Sequence, residues 1–484
     1  MPLTPIPRLA FPKGRLSRKA MWVGSGRGIQ FLAQILGAIY LARRFSDKAD
    51  FGLYQQAWLL LNTSLALLQL GIPQALNVYL SKHDESEGPR LAWVMQWLLL
   101  ALGAMAAILF RAGAAPVSGL VANPQIASLA PWLGVYLFFA LPATSLDALL
   151  IQKDRPRLLC LTAAATGIVF FALHLVFAEP WELTSLFESL CILQAARLGV
   201  TLVVLTQGYG WPKRVWSRKR IEALSPYLGV LGLIAVVDVV SVQLDKFIVS
   251  RYFSAADFAI YSIGAIEVPF VGILLAAVTA TLLPELSRLH GEGKSEACFE
   301  MLQSSMRKLG LILWPGFLFL LVFADPLIPL VFKESYSESV AVFRIYLFLL
   351  PLRVLNNHPL LLATGLQRYA LYGRIIDTMA NLALALALMP FIGLWGPAVA
   401  TVAATYIHKT YQTVMIMKAL GKRLTELYPW ATLVRQFAGV AAAVAGAGAV
   451  KLLVNGGLAQ LAIGIVIFLV LFPLLNWRAL KQEL

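Results

Sequence analysis

A chain of 484 residues that is 59% hydrophobic and 13% charged, with a mean hydropathy of +0.75, is too apolar for a soluble globule, whose apolar share is nearer about half. Three well-separated cysteines, Cys160, Cys191 and Cys298, with no CxxC and no histidine cluster, exclude a disulfide framework and a structural metal site. The net charge of +15 then has to be explained inside a membrane protein.

Apolar runs of about twenty residues, enough for a helix to cross a hydrocarbon layer of roughly 30 Å, recur along the whole chain. They predict fourteen transmembrane helices near 20–42, 53–80, 91–111, 126–151, 158–178, 183–206, 224–250, 257–284, 307–332, 339–364, 370–391, 395–417, 429–452 and 458–477. Several contain a proline (Pro73, Pro142, Pro269, Pro315, Pro351), whose missing N–H and ring clash bend or break a helix. The stretch before the first helix is basic and proline-rich, and the apolar run after it is too long for a signal-peptide core, so it reads as an uncleaved span.

Lys and Arg collect in cytoplasmic loops, and alternate loops here differ by 26 basic residues against 8. Both termini are therefore expected in the cytoplasm. The stretch WPKRVWSRKR at 211–220 is one of the rich loops; its charge orients the bundle and touches anionic headgroups, and no folded nucleic-acid reader accompanies it. A second loop, 285–308, mixes charges with spaced apolar residues and predicts an amphipathic helix lying on the inner leaflet.

Two sequence echoes share an offset. LSKHDESEG (80–88) is echoed by LSRLHGEGK (286–294), and LPATSLDALL (141–150) by LPLRVLNNHP (350–359), at spacings of 206 and 209 residues. The expected architecture is thus an all-α integral membrane protein with two pseudo-symmetric six-helix lobes and an appended C-terminal helix pair. Its parts are a basic cytoplasmic tail (1–19), an N-terminal lobe (20–210), a basic linker (211–223), a C-terminal lobe (224–420) and the appended pair (421–484). Parallel repeats of this kind place cargo between the halves.

A charge at bilayer depth costs about 2.5–3.5 kcal/mol on insertion scales, so each needs a partner, water or a task. Such charges are Arg27, Asp147, Arg197, Asp238, Asp245, Glu267, Arg344, Arg353, Asp377 and Lys409, with His408. Arg27, in GSGRGIQ, could grip a phosphate with its forked donors or snorkel to the interface. Arg353 with Asn356 and Asn357 follows Pro351 and could offer donors to phosphate or sugar, or glue helices together. The same two readings apply to Asn62, Gln69, Gln74 and Asn77 on the second helix. Asp238 and Asp245, two turns apart, could carry a proton or sodium ion; alternatively Asp245 pairs with Lys246 or Arg251. Glu267, beside Pro269, could sense cargo or satisfy backbone freed by the proline. His408 is expected at the interface rather than in a site. No catalytic set, such as GxSxG, HExxH or a phosphate loop, is present in the sequence, and the outer loops are short.

IEVPFVGILLAAVTATLLPELSRLHGEGKSEA (266–297), WPGFLFLLVFADPLIPLVFKESYSES (314–339) and LLATGLQRYALYGRIIDTMANLALALALMPFIGLWGPAVATVAATYI (361–407) resemble the polysaccharide-export flippases. These belong to the superfamily that also contains lipid II flippases and multidrug and toxin extruders. The resemblance implies a V-shaped bundle of two lobes in a bacterial inner membrane. It implies a cargo of oligosaccharide on a polyprenyl diphosphate, moved from the cytoplasmic to the outer leaflet for O-antigen, capsule or exopolysaccharide synthesis, among membrane lipids and beside a polysaccharide polymerase and ligase. No cofactor is implied; transport would draw on a proton or sodium gradient or on the membrane potential. Lipid II flippases carry an arginine where this chain has Gly264 and an aspartate where it has Gly28, which argues against lipid II as cargo. The rival readings are a multidrug cation antiporter of the same fold, a lipid II flippase, a membrane-bound glycosyl polymerase or ligase, and a scaffold for such enzymes.

Overall fold

A computed structural model describes residues 13–82, 87–211, 218–268 and 271–483. The basic tail through residue 12, most of the WPKRVWSRKR loop and Pro269 lie outside the described residues. Those described form helices joined by short turns, in the order α1 Lys13–Arg44, α2 Lys48–Leu68, α3 Ile72–Lys82, α4 Gly88–Ala112, α5 Ala114–Leu120, α6 Ile126–Ala143, α7 Ser145–Gln152, α8 Pro156–Val176, α9 Leu183–Tyr209, α10 Arg218–Tyr252, α11 Ala255–Gly264 and α12 Val271–Gly291. There follow α13 Ser295–Val331, α14 Ser339–Leu347, α15 Leu349–Val354, α16 His358–Ala363, α17 Gln367–Ile392, α18 Trp395–Leu420, α19 Leu424–Leu427, α20 Trp430–Gly448, α21 Val450–Leu453, α22 Gly457–Leu475 and α23 Trp477–Glu483.

The all-α membrane architecture expected from the sequence is what the structure has, and each of the fourteen apolar stretches is helical over most of its described residues. Among the described residues, nine helices are both long and apolar enough to cross a membrane. The predicted spans outside that set are the first, second, seventh, tenth and twelfth. They are the ones that carry Arg27, the Asn62–Asn77 polar series, Asp238 with Asp245, Arg353 with its asparagines, and His408 with Lys409. Polarity concentrates where hydropathy fails.

One expectation is corrected. The loop at 285–308 holds no separate surface helix: α12 runs on to Gly291, residues 292–294 turn, and α13 starts at Ser295. The apolar side of that stretch is used internally, with Leu286, Leu289 and Cys298 buried in one cluster. The second span is interrupted near Pro73, as that proline leads one to expect: Leu70 (φ 47°) and Gly71 (φ 69°) adopt left-handed backbone between α2 and α3. The tenth is broken twice, into α14, α15 and α16, whereas α13 continues through Pro315 without a break.

The chain divides into two compact units. Unit 1 comprises Met1–Arg44, Ser64–Val117 and Ala127–Leu233; unit 2 comprises Phe45–Thr63, Ser118–Ile126 and Ile234–Leu484. In unit 1, α1 lies along α8 at backbone contact: a Cβ on Gly26 would meet Cys160 Cα at 2.6 Å, and one on Gly167 would meet Gln30 Cα at 2.7 Å. Its core gathers α3, α4, α7 and α9 around fully buried Trp93, whose indole N–H donates to the Gly210 carbonyl at 2.8 Å. In unit 2, α17 and α18 pair along their length, and α13, α20 and α22 pack together. The start of α2 belongs to unit 2 through buried Gln56, which donates to Ser250 Oγ at 2.9 Å and accepts from Asn123 at 2.6 Å.

Candidate functional site

In unit 1, Arg27 and Asp147 form an ion pair part-way along α1. Arg27 lies about 25 Å along α1 from Arg44 at the helical rise of about 1.5 Å per residue. Its Nε and Nη2 both donate to Asp147 Oδ2 on α7, at 3.2 and 2.8 Å. The guanidinium is the more open partner, 52% exposed against 35% for the carboxylate. Half-exposed beside a fixed carboxylate, the guanidinium keeps N–H donors free for a further acceptor. Only one of the glycines around Arg27 is there for close packing: Gly26 meets α8, while nothing lies within 4 Å of a Cβ placed on Gly24 or Gly28.

The other residues expected in unit 1 do not join this pair. Gln69 falls in the turn between α2 and α3. Asn77, on α3, donates back to the Pro73 carbonyl at 3.4 Å and offers its own carbonyl to Gln152 Nε2 at 2.9 Å. Asn62, exposed on α2, belongs to unit 2. The break at Gly71 therefore removes the continuous polar side that a single helix would have given. Arg197 bonds Gln194 within α9 at 3.1 Å.

Unit 2 collects charges from four helices. Arg374 on α17 donates to Asp238 Oδ1 on α10 at 2.8 Å and to Asp377 Oδ2 on its own helix at 3.2 Å. Asp377 is buried and also accepts from Ser241 at 2.9 Å. His408 on α18 sits 4.0 Å from the same carboxylate and is 8% exposed. It is an interior group, not the interfacial one expected. It fits because α17 has no side chain opposite: a Cβ on Gly373 would stand 2.7 Å from the imidazole. Arg353 on α15 pairs with Glu267, in the stretch between α11 and α12, at 3.2 Å.

Asn356 and Asn357 do not accompany Arg353. Both are buried, and Asn357 donates to Tyr428 Oη at 2.5 Å and Thr413 Oγ1 at 3.3 Å, a helix-packing network. Asp245 lies apart from Asp238 as well. It is 1% exposed and accepts from the hydroxyls of Tyr261 (2.7 Å) and Tyr346, which lie 3.0 Å from each other. Among the described residues it has no cationic partner, so the alternative of pairing with Lys246 or Arg251 is not realised. A last cluster, at the end of the bundle that the charge count assigns to the outside, joins Arg344 and Lys451 to Asp325, each at 2.7 Å.

Sequence reading named most of these charges one by one but not their partnerships, which join residues up to 136 positions apart. The tyrosines around Asp245 went unnoticed because nothing in their local sequence marks them.

Among known proteins, a family model described as polysaccharide biosynthesis protein matches residues 41–341, and one described as lipid II flippase MurJ matches residues 221–472. Among curated proteins, no sequence match is found. Solved structures are similar throughout. A lipid II flippase MurJ in an inward closed conformation aligns with a TM-score of 0.69 at 14% identity, covering 93% of this chain and 98% of that one. An inward-facing multidrug resistance MATE transporter aligns at 0.62 and 15% identity, covering 84% and 99%. A mutant of the Vibrio cholerae MATE transporter VcmN aligns at 0.58 and 15%, covering 85% and 99%. At these identities the structures show the fold, and the two family models each match more than half of the 484 residues. The chain therefore belongs to the polysaccharide biosynthesis protein family, within the multidrug, oligosaccharidyl-lipid and polysaccharide exporter superfamily of multi-pass membrane transporters.

Proposed function

We propose that this transporter flips a polyprenyl-diphosphate-linked oligosaccharide from the cytoplasmic to the outer leaflet of a bacterial inner membrane, supplying O-antigen, capsule or exopolysaccharide assembly. The observation that carries the proposal is Arg27, whose forked donors suit a phosphate and which Asp147 holds half-open part-way along α1. The carboxylate fixes the fork without covering it. A phosphate arriving from the polar side meets an oriented donor set rather than a mobile chain, so less entropy is lost on binding. The units would pass to a polymerase and a ligase on the outer side.

Coupling, in this proposal, falls to Asp245 rather than to Asp238 or Glu267. The latter two are each engaged by an arginine, and neutralising them would leave a guanidinium without its counter-charge. Asp245 is held by two hydroxyls, which can keep hydrogen bonds to it whether it is charged or protonated.

The test is to deplete the protein and ask where the lipid-linked oligosaccharide accumulates, using a sugar-modifying probe confined to the outer face of intact cells. Complete units that build up out of the probe's reach support flipping and reveal the cargo, lipid II included. Units that reach the outer face yet stay unpolymerised or unligated would overturn the proposal.

A further inference from the structure

Between α7 and α8 in unit 1, residues 153–155 close one helix and Pro156 opens the next. The turn has a fixed shape. Asp154 adopts left-handed backbone (φ 52°), which aspartate tolerates better than most residues. The N–H groups of Asp154 and Arg155 donate back to the Ile151 and Leu150 carbonyls at 3.1 and 2.9 Å, the pairing of a Schellman close. Lys19 of α1 joins this turn through Asp154, 2.5 Å away. The Arg157 guanidinium lies 5.8 Å from the centre of the Trp22 ring, also on α1, within cation–π range. Together they enclose a cavity of about 400 Å³, lined by Lys19 and Trp22 on one side and by residues 154–158 on the other.

The charge of this cavity is unbalanced. Lys19, Arg155 and Arg157 line it with a single carboxylate, Asp154, which Lys19 already engages. Neither arginine makes a hydrogen bond or an ion pair among the described residues. The chain before Lys19 offers no counter-charge, since residues 1–18 contain four basic side chains and no acidic one. Trp22 stands five residues before Arg27, roughly 140° around α1 at 3.6 residues per turn, so the cavity is separate from the Arg27 pair. On Trp22's side α1 continues with exposed Ile29 and Leu36, and α8 continues from Arg157 with exposed Leu161 and Ile168. The two helices touch at Gly26 and Gly167. Cationic donors and a tryptophan at the head of exposed apolar stripes complement a molecule with an anionic head and a hydrocarbon tail. We propose that this cavity holds the headgroup of an anionic phospholipid. Its phosphate takes the free forks of Arg155 and Arg157, and its binding ties α1 to the α7–α8 turn. The charge count assigns this end of the bundle to the cytoplasm, the side on which anionic lipid collects. The inference is independent of the cargo carried.

The experiment is native mass spectrometry of the full-length protein, released from detergent micelles after titration with phosphatidylglycerol or phosphatidylcholine. Other basic stretches of the chain attract anionic lipid in every variant, so the difference between variants reads the site. Wild type should retain a phosphatidylglycerol that R155Q/R157Q holds at least about ten-fold more weakly, and K153Q should stay within about three-fold of wild type. K153Q is the matched control, because Lys153 belongs to the same turn but is engaged by the Gly208 carbonyl and the Tyr209 ring. Phosphatidylglycerol should also raise the unfolding temperature of wild type and leave that of R155Q/R157Q nearly unmoved. Thermal unfolding without added lipid checks that the double variant is folded, and R157Q alone serves if it is not. Equal retention of phosphatidylglycerol by wild type and R155Q/R157Q, or equal retention of the two lipids by wild type, overturns the proposal. Displacement of the lipid by inorganic phosphate at equal concentration overturns it too, by making the cavity a site for soluble anions.

Discussion

Arg27 Nη2 rests 2.8 Å from Asp147 Oδ2, joining α1 to α7 across 120 residues of sequence. Because both groups are substantially exposed, the pair should contribute no more than about 1 kcal/mol to stability, which separates its folding role from its transport role. Arg27→Ala should leave membrane levels and the unfolding temperature nearly unchanged while export falls at least about ten-fold, a factor worth about 1.4 kcal/mol. Arg27→Lys should recover only part, since it keeps the charge and loses the fork. Undiminished export by a normally inserted Arg27→Ala protein would remove Arg27 from the site.

The α1–α8 contact depends on the absence of side chains. Gly26→Ala places a methyl 2.6 Å from Cys160 Cα, and Gly167→Ala one 2.7 Å from Gln30 Cα, both against backbone that cannot rotate away. Each should destabilise the protein by about 1–3 kcal/mol, the usual range for overpacking. Gly24→Ala and Gly28→Ala, which meet nothing within 4 Å, are the matched comparisons. Unfolding followed by intrinsic fluorescence in detergent should separate the two pairs accordingly, and a Gly26→Ala protein as stable as Gly24→Ala would show that the helices can separate freely.

How much of this was legible beforehand follows from the range of each interaction. Hydropathy is summed over neighbours, so the fourteen apolar stretches and their helical state could be read directly. The breaks were legible in part: Pro73 and Pro351 mark the second and tenth spans as interrupted, but nothing local marks Leu70, a leucine at φ 47°, as the residue that turns. Arg27, Asp238 and Arg353 were conspicuous as charges in apolar surroundings. Their partners Asp147, Arg374 and Glu267 sit 120, 136 and 86 residues away, and such pairing is a property of helix placement. His408 was misjudged for the same reason: beside Lys409 it reads as a helix-end residue, and only the gap at Gly373 shows that its ring is interior.

Buried Asp245 and Tyr261 and half-buried Tyr346 form a triad in which each hydroxyl reaches both the other and the carboxylate. Removing one donor leaves the second in place, whereas removing both strands a buried carboxylate. Tyr261→Phe and Tyr346→Phe should therefore each cost about 1–3 kcal/mol, and the double variant should exceed their sum by about 0.5–3 kcal/mol. Asp245→Asn should fold and lose dependence of export on the ion gradient. Additive stability losses, together with gradient-dependent export by Asp245→Asn, would show that the triad is a packing feature.

Gly264, which the resemblance sets opposite an arginine of the lipid II flippases, lies where two helices touch. A Cβ there would lie 2.5 Å from Val342 Cβ and 2.8 Å from the Ser339 carbonyl oxygen, because α11 is pressed against α14. The position is a helix contact with no room for a cargo-facing side chain. Gly264→Ala should destabilise by about 1–3 kcal/mol, and Val342→Ala, which withdraws the crowding methyls, should restore part of that loss. Gly264→Arg should fail to accumulate in the membrane rather than acquire lipid II transport. Normal accumulation of Gly264→Arg, with rescue of cells lacking their lipid II flippase, would mean that α11 and α14 part readily and that the glycine does not set the choice of cargo.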